Sequence, residues 1–220
     1  MALVEFMTPV HRRTPRNYLE RVVRGDKAHC AEVAKRFGAE YWDGDRKYGY
    51  GGHRYDGRWA PVARALAAHY GLGPGARVLD VGCGMAFLLY ELTQAVPGLT
   101  VRGLDVSRYA LDHAREEVRP FLDPGEAQAL PYPDRSFDLV LSLTCLHNLL
   151  LPDLERALRE IERVKKAHSY VVVESWRNEQ EKANLLNWQL TCECFFTPAE
   201  WEWLFARFGY TGDYESIYFE

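Results

Sequence analysis

Two glycines, Gly82 and Gly84, stand one residue apart behind an apolar run that carries a single acid, Val78-Leu79-Asp80-Val81. Beyond them Phe87, Leu88, Glu91, Leu92 and Ala95 fall at helical spacing. Strand, tight loop and helix in this order make the first half of a nucleotide-binding β-α-β unit. A strand that reverses into a helix needs positive φ or a missing Cβ, and a ligand can then approach the backbone closely. The loop's chemistry discriminates among ligands. A dinucleotide fingerprint places its third glycine where Phe87 stands, to pack helix on strand. Asp80 at the loop entrance would repel a phosphate but would receive an ammonium group, directly or through water. A cationic, amino-bearing ligand therefore fits better than a pyrophosphate, and a nicotinamide oxidoreductase is disfavoured.

The elements that must hold this loop can be read in order. A helix is expected from Asn17 to Phe37, with Asn17 as cap, Gly25 as a weak point and Gly38 as its end. A stretch rich in aromatics, glycine and charge follows, Tyr41 to Trp59. Plain linkers are poor in aromatics, so this stretch reads as a lid that closes over a ligand; the alternative is a segment that merely docks by its rings. Pro61 to Tyr70 is a helix, Arg77 to Val81 the first strand, Ala86 to Ala95 a helix and Thr100 to Asp105 the second strand. Ser107 caps a helix running to about Val118, and a short third strand lies near Phe121 and Leu122. Ser136 to Leu143 is the fourth strand, Pro152 to Val164 an amphipathic helix and Ser169 to Ser175 the fifth strand, apolar on both faces. Thr197 and Glu200 form a capping box for Pro198 to Phe208, and Tyr214 to Phe219 is a last strand. Strands alternating with helices imply an α/β fold, a mostly parallel sheet covered on both faces.

The motifs resemble a family. Asp80-Val81-Gly82-Cys83-Gly84 is similar to the D-x-G-x-G motif of class I S-adenosylmethionine (SAM) dependent methyltransferases, with Ala86 where the family often has glycine. Gly103-Leu104-Asp105-Val106-Ser107 resembles the end of the family's second strand. Gly125-Glu126-Ala127-Gln128-Ala129-Leu130-Pro131-Tyr132 resembles its G-D-A-x-x-L-P-F segment, and Ser136-Phe137-Asp138-Leu139-Val140 its entry into the fourth strand. The resemblance implies a Rossmann-like fold with an N-terminal helical and lid segment over residues 1–60 and a SAM-binding domain over 61–220. It also implies a terminal hairpin, for which the ten or so residues after the last helix look short. Its cofactor set would be Asp80, Gly82 and Gly84 at the loop, Asp105 on the ribose hydroxyls beside Val106, Glu126 at the adenine amino group beside Ala127, and Leu143. Family members cover the cofactor with the segment before the first strand, which makes Tyr48 and Arg58 candidates for the cofactor carboxylate.

Composition narrows the class. The chain has 220 residues, enough for one domain with a substantial core. A net charge of −4 gives no electrostatic footprint for nucleic acid, and the run His11-Arg12-Arg13-Thr14-Pro15-Arg16 reads as a solvated tail. The five cysteines make no disulfide framework, which fits reduced thiols in a cytosol; Cys192-Glu193-Cys194 lacks the second pair a zinc site needs. No signal peptide or bilayer-spanning stretch is read, and a monomer or homodimer is expected.

The acceptor half is less legible. Ligands of open α/β sheets sit beyond the carboxyl ends of the strands, which points to Thr144-Cys145-Leu146-His147-Asn148 and Glu174-Ser175-Trp176-Arg177-Asn178. His147 is the candidate base, with a pocket-shaping role as the alternative. Tyr50, His53, Trp176, Arg177 and Trp188 are the substrate candidates, Arg177 or Arg54 pairing with a carboxylate or phosphate. Residues 177–196 read as a substrate cap holding Asn184, Trp188, Gln189 and Glu193, or as an inserted helix that packs on the sheet. The expected reaction is O- or N-methylation of a small molecule. The Trp42-to-Gly52 stretch and Trp188-Gln189-Leu190-Thr191-Cys192-Glu193 also resemble methyltransferases of bacterial surface-polysaccharide genes, which suggests a sugar acceptor. An RNA or protein methyltransferase and a non-catalytic SAM-binding protein stand as alternatives.

Overall fold

Val78, Leu139, Leu141, Tyr170 and Val172 point to one side of a sheet, and Leu79, Val140, Val171 and Val173 to the other; all are buried. This period-two alternation with both sides apolar is what a sheet covered on both faces requires. The computed structural model describes residues 1–14, 16–23 and 26–220. Its sheet contains β1 (Arg77–Val81), β2 (Thr100–Asp105), β3 (Leu122–Pro124), β4 (Phe137–Leu143), β5 (Lys165–Ser175) and β6 (Asp213–Tyr218), in the order β3-β2-β1-β4-β5-β6 with every pairing parallel. α5 (Ala60–His69) and α6 (Phe87–Ala95) cover one face. α8 (Leu151–Val164) and α10 (Pro198–Phe208) cover the other, α10 starting on the capping box of Thr197 and Glu200. Strand order reverses between β1 and β4, so the crevice beyond their carboxyl ends is where such a sheet accepts a ligand.

Three expectations change. The single helix over 17–37 is instead α2 (Glu20–Val23) and α3 (Lys27–Ala34), the latter restarted by Asp26, whose side chain accepts from His29 N; the Gly25 weak point lies outside the described residues. α4 (Ala39–Trp42) then opens the aromatic stretch. The helix after Ser107 is only α7 (Arg108–Asp112), and turns carry Ala114 and Val118 on into the core, so the helical apolar spacing is met without a continuous helix. The terminal hairpin is absent among the described residues: β6 lies parallel to β5, reached through α10.

The N-terminal residues are not a tail. Val4 N donates to Tyr214 O at 3.0 Å and Tyr214 N to Ala2 O at 3.0 Å, which pairs the β6 edge. The fully buried Glu215 side chain accepts from Phe6 N, Met7 N, Thr8 N, Thr8 Oγ1 and Tyr170 OH, and so fixes the entry into α1 (Thr8–Arg12). α9 (Glu179–Trp188), between β5 and α10, starts on Asn178, which accepts from Glu181 N. Glu215→Ala should strand those donors in the interior and lower stability by about 3 kcal/mol. Denaturant unfolding, with limited proteolysis of residues 1–12 under native conditions, measures it.

Candidate active site

β1 ends at Val81, and Gly82 turns away with φ +80°, its N–H donating to Leu104 O at 2.7 Å. A Cβ on Gly82 would lie 2.4 Å from Cys145 Sγ; one on Gly84 (φ +54°) would lie 2.8 Å from the Trp42 ring. Both glycines are thus demanded twice, by backbone conformation and by close approach. Ala86 takes the left-handed region at φ 55°, which is the reason glycine suits that position. Asp105, last in β2, ties the loop down: Oδ2 accepts from Gly84 N at 2.7 Å and Oδ1 from Ser107 N at 2.8 Å. Ser107 Oγ donates to Phe37 O and accepts from Ala110 N and Trp42 Nε1. One hydroxyl therefore caps α7 and anchors the aromatic stretch over the glycines.

A cavity of about 310 Å³ opens there. Asp80, Gly82, Gly84, Asp105, Val106, Glu126, Ala127 and Leu143, the eight candidates from the strand motifs, all line it. Tyr50 and His53 join them from the aromatic stretch, Tyr50 stacked on Trp42 at 5.2 Å and His53 held between Tyr50 at 4.3 Å and Phe87 at 5.1 Å. Trp42 itself was not singled out from sequence; the ring density around it was the available signal. A second cavity of about 370 Å³ shares Tyr41, Tyr50, His53, Trp59, Phe87 and Thr144 with the first. Thr144, just past β4, sits at φ 54°, a strained conformation of the kind that persists at functional positions. The second cavity continues to Arg16, Arg46, Glu174, Trp188 and Gln189.

The first cavity's electrostatics are unusual for a protein of ordinary charge. Burial and the neighbouring Asp105 push Asp80 up to about 7, and one Asp80 oxygen is buried without a hydrogen-bond partner among the described residues. Asp105 is itself raised by burial, against the backbone N–H groups that hold it. Because Asp80 keeps its proton in the fold and loses it near pH 4 when unfolded, its burial costs stability increasingly as pH rises from about 4 to 7. His53 is lowered to about 4, first by burial and then by Arg58, so its ring is neutral.

Several candidates fall elsewhere. Tyr48 packs on Cys30, Ala34 and Leu190 rather than on the first cavity. Arg58 is exposed and paired with Asp56, on the rim of the second cavity. Trp176 lies outside both cavities with the Lys182 ammonium 4.3 Å from its ring centre, and Arg177 is engaged by Glu181, Glu220 and the Tyr218 ring. His147 is 1% exposed, lines neither cavity, and is lowered to about 3 by burial. It is a neutral ring behind the wall, 3.5 Å from Glu174 Oε2, and not the base expected from its place after β4. Of the expected cap, Trp188 and Gln189 line the second cavity; Asn184 instead donates to Phe219 O, and Glu193 pairs with Lys35. Of the basic run, Arg12 and Arg13 are exposed as expected, but Arg16 is built in: it donates to His11 O and Thr14 O, and its guanidinium lies over Trp188 and Phe219.

Residues 79–173 match a family described as "Methyltransferase domain". The chain is 38% identical over 109 residues to a demethylmenaquinone methyltransferase of Lysinibacillus sphaericus, covering 47% of this chain and 46% of that one. It is 32% identical over 162 residues to a protein of the same name from Tropheryma whipplei, covering 71% and 63%. The chain thus spans less than two thirds of either relative. In fold it is similar to the YcgJ protein of Bacillus subtilis, with a TM-score of 0.52, 22% identity and coverage of 66% and 67%. Gly82→Ala, whose Cβ meets Cys145, is expected to lower stability by at least about 2 kcal/mol. Thermal and denaturant melts of the purified variant check it.

Proposed function

We propose that the chain is a class I SAM-dependent methyltransferase, residues 79–173 matching a methyltransferase domain, and that it transfers a methyl group to an oxygen or nitrogen of a small-molecule acceptor. One observation carries the reading: Asp80, with a partnerless buried oxygen, and Asp105 wall the same cavity as the glycine loop. Two acids so placed call for a cationic, hydroxyl-bearing ligand and repel a pyrophosphate. SAM meets that demand; when bound it supplies a methyl group activated by a sulfonium.

The chain's own residues then have definite tasks. Asp80 receives the cofactor's ammonium, Asp105 the ribose hydroxyls, and Glu126 at the rim, with Ala127 and Val106, the adenine. Gly82 and Gly84 let the ligand approach the backbone. Tyr50, His53 and Phe87 exclude water and offer ring faces to a positive centre. Residues 41–59 act as the lid and residues 177–196 as the acceptor's cap, the second cavity being the acceptor site. Trp188 and Tyr50 suit the face of a sugar ring, and Arg16 and Arg46 suit an anionic group on it. With the resemblance of the aromatic stretch, this favours a sugar unit of a surface-polysaccharide precursor as acceptor. Five unbridged cysteines favour work in the cytosol, by a monomer or homodimer.

Calorimetric titration should give micromolar binding of SAM and S-adenosylhomocysteine and none of NAD; binding of NAD alone would sink the assignment. Asp105→Ala should weaken S-adenosylhomocysteine by about a hundredfold or more, since the loop loses its tether as well as the ribose its acceptor. Asp80 must shed its proton to pair with an ammonium. Affinity should therefore rise about tenfold per pH unit between pH 5 and 7, with one proton released. Titration in two buffers of different ionisation enthalpy reads that proton, and Asp80→Asn should flatten the pH dependence.

A further inference from the structure

Glu174 lies next to the carboxyl end of β5, after a run of apolar residues, and is 5% exposed. It lines the second cavity, whose wall is shared with the first through Tyr41, Tyr50 and Thr144. Its Oε2 accepts from Gln189 Nε2 and lies 3.5 Å from His147 Nε2. The side chain is thus oriented by His147 behind the wall and by Gln189 beside it on the lining, while it faces a cavity large enough for a sugar-sized molecule. The groups that act on it from the surrounding elements are His147, Gln189, Arg16, Tyr41, Tyr50 and Cys192. Arg16 is the cation among them, and it is held by the backbone of α1 and the turn after it. No carboxylate competes for a proton at this point of the wall among the described groups.

Resting on the methyl-transfer reading above, we propose that Glu174 is the catalytic base, taking the proton from the hydroxyl or amino group of an acceptor bound in the second cavity. The atoms balance. The acceptor's oxygen or nitrogen forms a bond to the methyl carbon as the carbon–sulfur bond breaks. The bonding pair of that broken bond stays on sulfur, which becomes a neutral thioether, and the acceptor's proton passes to a Glu174 carboxylate oxygen. Gln189 and His147 are positioning residues. Burial raises Glu174 to about 8, against Gln189 and Arg16, and lowers His147 to about 3. A proton delivered to the pair therefore rests on the carboxyl, and a hydroxyl needs such a base in a way that a carboxylate of ordinary acidity supplies poorly.

The test takes the full chain, methyl-labelled SAM and the small-molecule filtrate of a bacterial cell extract as acceptor pool. Expected are label transfer whose rate rises with pH through about 8 and levels off, a loss of about a hundredfold or more in Glu174→Gln, and partial recovery in Glu174→Asp. Affinity for S-adenosylhomocysteine should stay unchanged in both variants. Carbon-13 NMR of glutamate side chains in the unliganded protein should show one carboxyl titrating near 8 that vanishes in Glu174→Gln. Transfer by Glu174→Gln within a few-fold of the parent, or no glutamate titrating near 8, overturns the assignment of the base and leaves the methyltransferase reading intact. Binding of S-adenosylhomocysteine by the parent with no transfer overturns both.

Discussion

The whole site hangs on the Asp105 carboxyl. Its two oxygens accept from Gly84 N and Ser107 N, so one side chain at the end of β2 fixes the glycine loop on one hand and the start of α7 on the other. Ser107, positioned in that way, holds Trp42 and the carbonyl of Phe37, and Trp42 closes over Gly84. Remove the carboxyl and the loop, the helix cap and the aromatic wall lose a common support. Charge-assisted bonds of this kind are worth more than neutral ones because the acceptor carries a full charge, and exclusion of water strengthens them further; burial raises the acid while the backbone N–H groups lower it.

That constraint explains why the site stores electrostatic cost. Asp80 and Asp105 share one cavity wall, and Glu174 stands in the next, each pushed up by burial. Buried acids with so little compensation are costly in a protein kept for stability alone. Perturbed groups gathered at the carboxyl edge of an open sheet mark a place where a ligand's charge, or a transferred proton, completes the balance. The proposed methyl transfer across the two adjoining cavities would account for all three acids with one kind of chemistry.

The N-terminal residues make the second cavity possible. Glu215 in β6 anchors residues 6 to 8, α1 follows, and Arg16 reaches Trp188 and Phe219 from there. His11 is lowered to about 4 by burial and by Arg16; it meets Tyr218 O through Nε2 and the Arg16 guanidinium through Nδ1. From a run that reads as solvated, His11, Thr14 and Arg16 form part of this wall while Arg12 and Arg13 are exposed, because an edge strand with a buried acid offers backbone N–H groups a place to bond.

Sequence by itself determined most of the sheet and the glycine-loop half of the site. Period-two apolar runs and glycine spacing are local signals, so β1, β2 and β4 were legible to within a residue, and eight of the residues lining the first cavity with them. The tertiary structure alone decided the rest. Whether β6 runs parallel depends on the partner β5 offers, and no residue of β6 encodes that. His147 and Glu174 both follow strands and both titrate, but only packing seals the first behind the wall and turns the second into a cavity. Tyr48, Trp176 and Arg177 have the right chemistry and the wrong neighbours. Residue type sets what a side chain can do, and burial and contacts made across the chain set whether it does it.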